Sequence, residues 1–509
     1  LLTLFIFSKI SFSQEYIIIP KDKHSLNLIL KLKEIKYLKN FGPKNRFILI
    51  NSDKNEYQIK EFFRINGLKV KSISKNDTIR LPNITNPKTK NVFLSKSKLW
   101  WQDHLMLEQA HEITRGKENI IVAVIDTGVD YLHKDLRDNI FRNEKEIPYN
   151  GIDDDNNGRI DDYYGFNFFS NLGSGMDDNG HGTHCAGIIA SNGELKGIAP
   201  EVKILPLKFL NNYGQGDIAK AIDAITYAVD AGAKIISNSY GNPNSNAAFL
   251  EVLEYARRQN VLFFAAAGNA KNDNDMRGEY PANYHLENVI SVAAVKANLS
   301  KAAYSNHGQL SVDVFAPGDQ IFSLDMNNEY KVRSGTSMAT PMAAGVAALL
   351  IAHNPNLTVN DITKRIKETS LKLSELYGLA QSPGVVLAHG ALLNNVKPIE
   401  YPFPRSKIKD ETFNLKSDSP YENNTNKAYQ LGFTNASQMA LNFELIDIEN
   451  GYDYLQIENA NGKILKKLTG KIKKGVTKFY PYDKLILRII SDNSETRQGF
   501  EITSINYLP

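Results

Sequence analysis

Three residues of this chain have the side chains that nucleophilic attack on a carbonyl needs. Asp126 ends the apolar run Ile120 to Ile125 and is followed by Thr127-Gly128. Open α/β sheets present functional groups at the carboxyl ends of strands, although a carboxylate there also begins turns. His181 lies in Asn179-Gly180-His181-Gly182-Thr183-His184-Cys185-Ala186-Gly187, where small residues let a helix begin in tight contact and leave an imidazole at its start. A single histidine is more often structural. Ser337 lies in Gly335-Thr336-Ser337-Met338-Ala339-Thr340-Pro341, ahead of the small and apolar stretch Ala343 to Leu350. A helix apolar all round must be buried, which holds its first residue firmly, and Pro341 is tolerated because it falls in the first turn. Free N–H groups and the helix dipole put positive potential beside Ser337 Oγ, which suits an oxyanion. Alone, Ser337 also reads as a helix cap. Together the three supply a nucleophile, a base and a carboxylate.

Their order Asp, His, Ser and the motifs around them closely resemble the active-site signatures of the subtilisin-like serine proteases, over roughly residues 100–395. The resemblance implies that Ser337 is the nucleophile, His181 the general base and then acid, and Asp126 the group that orients and charge-stabilises the imidazole. It implies a serine endopeptidase acting on proteins or peptides through an acyl-enzyme, made as a self-processing zymogen. Ala266-Ala267-Gly268-Asn269 is similar to the family segment whose asparagine donates to the oxyanion, so Asn269 joins the catalytic set. Gly214-Gln215-Gly216 and Ser239-Tyr240-Gly241 resemble the two family segments whose backbones pair with an extended peptide. The implied substrate-binding residues are therefore Gly214, Gly216, Ser239, Tyr240, Gly241, Ala267 and Gly268, glycine allowing close approach. Cys185, the single cysteine, is similar to the cysteine that the proteinase K-like branch carries in this motif. As a residue it reads as a small buried apolar group. Main-chain recognition of this kind is sequence-tolerant, so the side-chain preference beside the scissile bond is not legible here.

Between Asp126 and His181 lies an acidic insertion, Gly151-Ile152-Asp153-Asp154-Asp155-Asn156-Asn157-Gly158-Arg159-Ile160-Asp161-Asp162. Oxygen ligands at Asp153, Asp155 and Asn157, then glycine, a carbonyl at Arg159 and closing carboxylates at Asp161 and Asp162 follow the opening of a calcium loop. The alternative is a solvated acidic loop, in which the carboxylates repel one another without a cation. Structural Ca2+ is the expected cofactor, with no organic one. Asp135, in His133-Lys134-Asp135-Leu136, stands where the family often has a further calcium ligand.

The elements that must hold these residues are legible as apolar runs. Ile120 to Ile125, Val202 to Leu207, Lys234 to Ile236, Val261 to Ala267 and Val289 to Val295 suit parallel strands covered on both faces. Asp217 to Ala231 sets Ile218, Ala221, Ile222, Ile225, Ala228 and Val229 on one helical face, with Asp217 as cap and Gly232 just past the end. The fold class expected is α/β, a doubly wound and mainly parallel sheet, with a small α/β unit before it and an all-β sandwich after it. In the N-terminal unit, strand-like runs Tyr16 to Ile19, Arg46 to Ile50 and Leu68 to Ile73 alternate with helical-period segments Ser25 to Lys39 and Glu56 to Ile65. The expected organisation is a partial signal peptide at 1–13, a prosegment with linker at 14–98, the catalytic domain at 99–396, a linker at 397–417 and the β-sandwich at 418–509.

That sandwich resembles a CUB module through Ser419-Pro420-Tyr421, Tyr452-Asp453-Tyr454-Leu455, Ser491-Asp492 and Gly499-Phe500. The resemblance implies an acidic calcium trio of Glu449, Asp453 and Asp492, while the usual disulfide cysteines are absent. The first residues read as the apolar part of a secretory signal whose start is missing, which makes the expected address extracellular, cell-surface or periplasmic. No later stretch reads as a membrane span. The formal charge of +4 over 509 residues divides into +1 for residues 1–13, +12 for residues 14–98 and −9 for residues 99–509. A nucleic-acid partner is not demanded by it. Instead a basic prosegment faces an acidic body, an arrangement suited to intramolecular inhibition or folding assistance, or simply a lysine-rich solvated surface. Two other functions remain open: a non-catalytic binding protein on the same scaffold, and a dedicated processing enzyme for one partner.

Overall fold

The computed structural model describes residues 13–32, 35–83, 99–433, 435–449 and 452–509. The expected signal segment as far as residue 12 and the linker residues 84–98 lie outside the described residues.

The N-terminal unit comprises β1 (Gln14–Pro20), α1 (Lys23–Ile29), β2 (Lys36–Phe41), β3 (Phe47–Ser52), α2 (Glu56–Ile65) and β4 (Val70–Lys75), followed by the short β5 (Thr78–Arg80). Its antiparallel sheet has the order β2-β3-β1-β4. Local chemistry starts the helices: Asp22 accepts from Ser25 N, and Asn55 with Gln58 forms a capping box. The single helix expected over Ser25 to Lys39 is not formed. The chain leaves α1 after Ile29 and returns as an edge strand, because pairing of β2 along β3 overrides the helical spacing of its apolar residues. Alternation in β1 and β3 feeds two cores. Tyr16, Ile18, Ile48 and Ile50 pack on Ile59 and Phe63, whereas Ile17, Ile19, Phe47 and Leu49 face the next domain.

That domain runs α3 (Trp100–Leu105), α4 (Leu107–Ile113), β6 (Ile121–Asp126), β7 (Phe166–Asn167), α5 (His181–Ala190), β8 (Lys203–Lys208), β9 (Gln215–Asp217), α6 (Ile218–Asp230), β10 (Ile235–Asn238) and α7 (Ala247–Arg258). It continues with β11 (Leu262–Ala266), β12 (Val289–Val295), β13 (Val314–Pro317), the hairpin β14 (Ile321–Asp325) and β15 (Glu329–Arg333), α8 (Thr336–His353), α9 (Val359–Thr369), β16 (Leu371–Lys372), β17 (Gly384–Val385) and α10 (Ala388–Leu392). Nine strands form one sheet in the order β16-β17-β13-β12-β11-β10-β6-β8-β7, with β16 the antiparallel member at its edge. Helices α5 and α8 cover one face; α6 and α7 cover the other. The chain goes from β6 outward to β8 and then returns to β10 on the opposite side, so the switch point lies between β6 and β10. Asp217 caps α6 through Lys220 N, and Gly232 follows at φ +87°. Among the described residues α8 is the one helix long and apolar enough to cross a membrane; here it is the buried core helix of the domain.

The C-terminal module contains β18 (Lys409–Lys416), β19 (Asn426–Gly432), β20 (Gln438–Ile448), β21 (Tyr454–Asn459), β22 (Ile464–Leu468), β23 (Gly470–Val476), β24 (Lys484–Ile490) and β25 (Gly499–Leu508). Two antiparallel sheets, β18-β25-β20-β23 and β19-β24-β21-β22, enclose its core. Strand β18 occupies part of the expected linker 397–417; it is an edge strand with mostly exposed side chains, so no apolar alternation announces it. The module sits on the domain that precedes it. Leu310 inserts into its core, Tyr377, Tyr401, Phe403 and Phe479 form one aromatic cluster, and Lys466 reaches Asp275 at 2.6 Å and Asp273 at 2.9 Å.

Candidate active site

Asp126, His181 and Ser337 converge at the switch point. Asp126 stands at the carboxyl end of β6, His181 at the first position of α5 and Ser337 in the first turn of α8. Asp126 Oδ1 lies 2.7 Å from His181 Nδ1 and accepts from Thr127 N at 2.7 Å. All three residues are buried. His181 Nε2 has no hydrogen-bond partner, while Ser337 Oγ donates to Ser239 O at 3.2 Å and Ser239 Oγ donates to Ser337 O at 2.9 Å. The serine is thus braced against the end of β10, and its hydroxyl makes no hydrogen bond to His181 Nε2.

Asp177 fixes the start of α5 and was not singled out by the sequence. It accepts from Thr127 Oγ1, Gly180 N, Thr183 N and Thr183 Oγ1, joining the end of β6 to the first turn of α5. A Cβ on Gly182 would come within 2.0 Å of Gly128 O, so only glycine allows this approach. Cys185 lies beneath the site with Sγ 3.4 Å from Ser337 O. Burial, with Asp126 adding, pushes its thiol well above the usual range, and it packs as a neutral apolar residue.

Asn269, just beyond β11, has its carbonyl end held: Thr336 N and Thr336 Oγ1 donate to Asn269 Oδ1 at 2.9 and 2.8 Å. Its amide Nδ2 therefore points away and donates to Asn83 O at 2.9 Å. The N-terminal unit supplies that carbonyl by running an extended tail through the cleft. β5 pairs antiparallel with β9, matching Ile79 to Gly216, Leu81 N donates to Gly214 O at 3.0 Å, and Arg80 and Gly241 exchange backbone bonds at 3.4 and 3.2 Å. Gly214, Gly216 and Gly241 all meet this tail. Tyr240 is buried below it against Phe209, and Ala267 is buried beside Gly268. The loop carrying Asn269 is braced by asparagines that have no periodicity to reveal them. Asn306 and Asn274 both donate to Ala267 O, and Asn283 donates to Asn274 O.

The acidic insertion folds around a residue upstream of it. Carboxylate oxygens of Glu146, Asp153 and Asp155 all lie within 4.8 Å of one another. Burial raises the Glu146 pKa, with Asp162 and Asp155 adding to it. The donor set is all oxygen and fits a hard cation such as Ca2+. The side chains of the other expected ligands make contacts within the protein. Asp161 accepts from Asn150 N and Gly151 N, and Asp162 from Asn143 and Asn157 side chains and from Tyr227 OH. Arg159 pairs with Asp223 at 3.1 Å and lies over Phe166 and Phe168. Asp135 accepts from Leu195 N and Tyr330 OH and stands apart from the cluster. In the C-terminal module Glu449, Asp453 and Asp492 lie within 4.8 Å of one another. Burial, then Asp453 and Asp492, push Glu449 up to about 7.

Two regions of the chain match known families. The subtilase family matches residues 117–393 and the CUB domain matches residues 406–504. The chain is 33% identical over 314 residues to Subtilisin-like protease 1 of Plasmodium falciparum (isolate 3D7), covering 56% of this chain and 45% of that protein. It is 35% identical over 282 residues to Thermitase of Thermoactinomyces vulgaris, covering 55% of this chain and 90% of the relative. It is 36% identical over 271 residues to Thermophilic serine proteinase of Bacillus sp. (strain AK1), covering 52% of this chain and 60% of the relative. The chain thus spans about half the length of the Plasmodium protein it matches.

Proposed function

The chain belongs to the subtilase family and carries a CUB domain, and from that premise we propose that it is an exported serine endopeptidase made as a zymogen. The observation that carries this reading is the Asp126–His181 pair at 2.7 Å, set beside Ser337 and an asparagine amide already turned onto a peptide carbonyl.

In the reaction, His181 Nε2 takes the proton of Ser337 Oγ as that oxygen attacks the scissile carbonyl. Asp126 keeps the imidazole in the tautomer with its proton on Nδ1 and stabilises the imidazolium. The oxyanion is received by Asn269 Nδ2 and by the backbone N–H groups at the start of α8. Collapse of the tetrahedral species breaks the C–N bond, and the imidazolium returns the proton to the leaving amine. Water then enters, loses a proton to His181 and releases the acid from Ser337. The peptide is held by backbone pairing to Gly214, Gly216 and Gly241 and lies over Ser239, Tyr240, Ala267 and Gly268, which makes recognition tolerant of sequence.

The N-terminal unit acts as prosegment: its tail lies where a substrate would, and its sheet packs on α6 and α7. Ca2+ bound by Glu146, Asp153 and Asp155 would rigidify the insertion and takes no part in the chemistry. A fluorophosphonate should label Ser337 in the matured protein, and Ser337→Ala should abolish both peptide hydrolysis and removal of the N-terminal unit. Undiminished proteolysis by that variant would end this reading, whereas a matured protein that the fluorophosphonate leaves unlabelled would favour a binding role for the scaffold.

A further inference from the structure

Glu279 lies in the loop between β11 and β12, where the sequence shows neither periodicity nor motif. The backbone on both sides of it is fixed. Asn242 and Tyr280 exchange backbone hydrogen bonds at 2.8 Å each, Glu279 N donates to Asn283 Oδ1 at 3.1 Å, and Asn283 N donates to Glu279 O at 2.8 Å. The side chain is thereby laid between the two substrate-facing glycines. A Cβ on Gly241 would come within 2.1 Å of Glu279 Oε1, and a Cβ on Gly268 within 3.2 Å of Glu279 Cγ. Gly241 is the residue paired with Arg80 of the occupying tail. Gly268 precedes Asn269, whose amide touches the tail's carbonyl. The Glu279 side chain therefore lies beside the carbonyl to be attacked.

The Glu279 carboxylate has no hydrogen bond or ion pair among the described residues, and desolvation alone pushes it up to about 7. A carboxylate with no partner at the wall of a cleft is left to be satisfied by whatever enters, and a cation gains most there. Lysine and arginine also have long apolar stems that can lie between two bare glycine backbones while the charged end reaches the carboxylate.

Resting on the endopeptidase reading, we infer that Glu279 sets the specificity of this enzyme, selecting substrates with lysine or arginine on the acyl side of the scissile bond.

The test uses the full chain after self-processing and a peptide series identical except for lysine, arginine, glutamine, leucine or glutamate at that position. The measured quantity is the ratio of kcat/KM values within one preparation, which does not depend on the fraction of active molecules. For the native enzyme lysine or arginine should exceed leucine by about tenfold or more, and Glu279→Gln should erase most of that preference while hydrolysis of the leucine peptide continues. Glu279→Lys should shift the preference towards glutamate. An active enzyme that favours leucine, or a lysine-to-leucine ratio unchanged in Glu279→Gln, overturns the assignment and leaves the endopeptidase reading intact. Turnover of none of the peptides by a matured protein overturns both.

Discussion

Asn269 is aimed by Thr336, whose backbone N–H and hydroxyl both hold its carbonyl end. Removing the amide with Asn269→Ala should lower kcat by about 10² to 10³, a magnitude taken from a member of this same family, with KM little changed. Thr336→Val keeps the backbone donor and should give a smaller loss of the same type. A KM effect with kcat preserved would place Asn269 in binding rather than in transition-state stabilisation. Glu279 makes a separate pH prediction. Its pKa is raised by burial from 4.5 to about 7, so the protonated form favours the folded state and that contribution is lost as pH rises through this window. In a Ser337→Ala background, which prevents autolysis, Glu279→Gln should match the parent near pH 4 and exceed its stability at pH 8 by up to about 3 kcal/mol in denaturant titrations. An equal advantage at both pH values would contradict the ionisation argument.

The acidic insertion and helix α8 show what single elements contribute. With Glu146, Asp153 and Asp155 gathered together, chelation should lower Tm and speed proteolysis within 143–162, and Glu146→Gln should weaken the response to added Ca2+. If Glu146→Gln retains the full calcium-dependent rise in Tm, the ion binds elsewhere. In α8, a Cβ on Gly345 would lie 2.8 Å from Ile198 Cβ, so Gly345→Ala should overpack the core and cost about 1–3 kcal/mol. These elements also mark how far the sequence could be read. The strand carrying Asp126, the capped helix α6 and the buried helix behind Ser337 were legible because period and capping chemistry are local. Glu146, lying outside the acidic run, and Glu279, isolated in a loop, were not. Nor were Asp177 and the Asn274–Asn283–Asn306 brace, whose partners are brought together only by the fold. Strand β18 was missed because its side chains are mostly exposed.

On the scale of the whole molecule, the catalytic domain is held from two sides. The C-terminal module meets it at Lys466, which is 3% exposed and paired with Asp273 and the fully buried Asp275. Burial disfavours that charge, and the two carboxylates outweigh it, holding Lys466 above the ordinary lysine value. Lys466→Met should cost about 3–5 kcal/mol by leaving Asp275 buried and unpaired, and should loosen the loop that carries Asn269. The expected result is a lower Tm, faster proteolytic loss of the module and reduced kcat, with Lys466→Met/Asp275→Asn partly restoring Tm. Equal Tm in both variants would mean that the pair is not coupled. At the opposite side the N-terminal unit is basic, yet the contacts Lys39–Asp223 and Lys71–Glu251, whose lysines are exposed, are few, and pairs with a solvated partner contribute little. Salt should therefore weaken its association only slightly, whereas Phe47→Ala should weaken it strongly. A steep salt dependence would restore the electrostatic account.

Ile17, Ile19, Phe47 and Leu49 are inside the same apolar core as Ile222, Ile225 and Val252 of the catalytic domain. On the zymogen reading proposed above, cutting the tail leaves that core intact, so scission and departure are separate events with separate clocks. The first can be over within one turnover, while the second waits for a buried surface to come apart and is hastened by a protease that digests the freed unit. Onset of activity in a uniform population should then show a lag followed by acceleration, as the first molecules to open clear their neighbours.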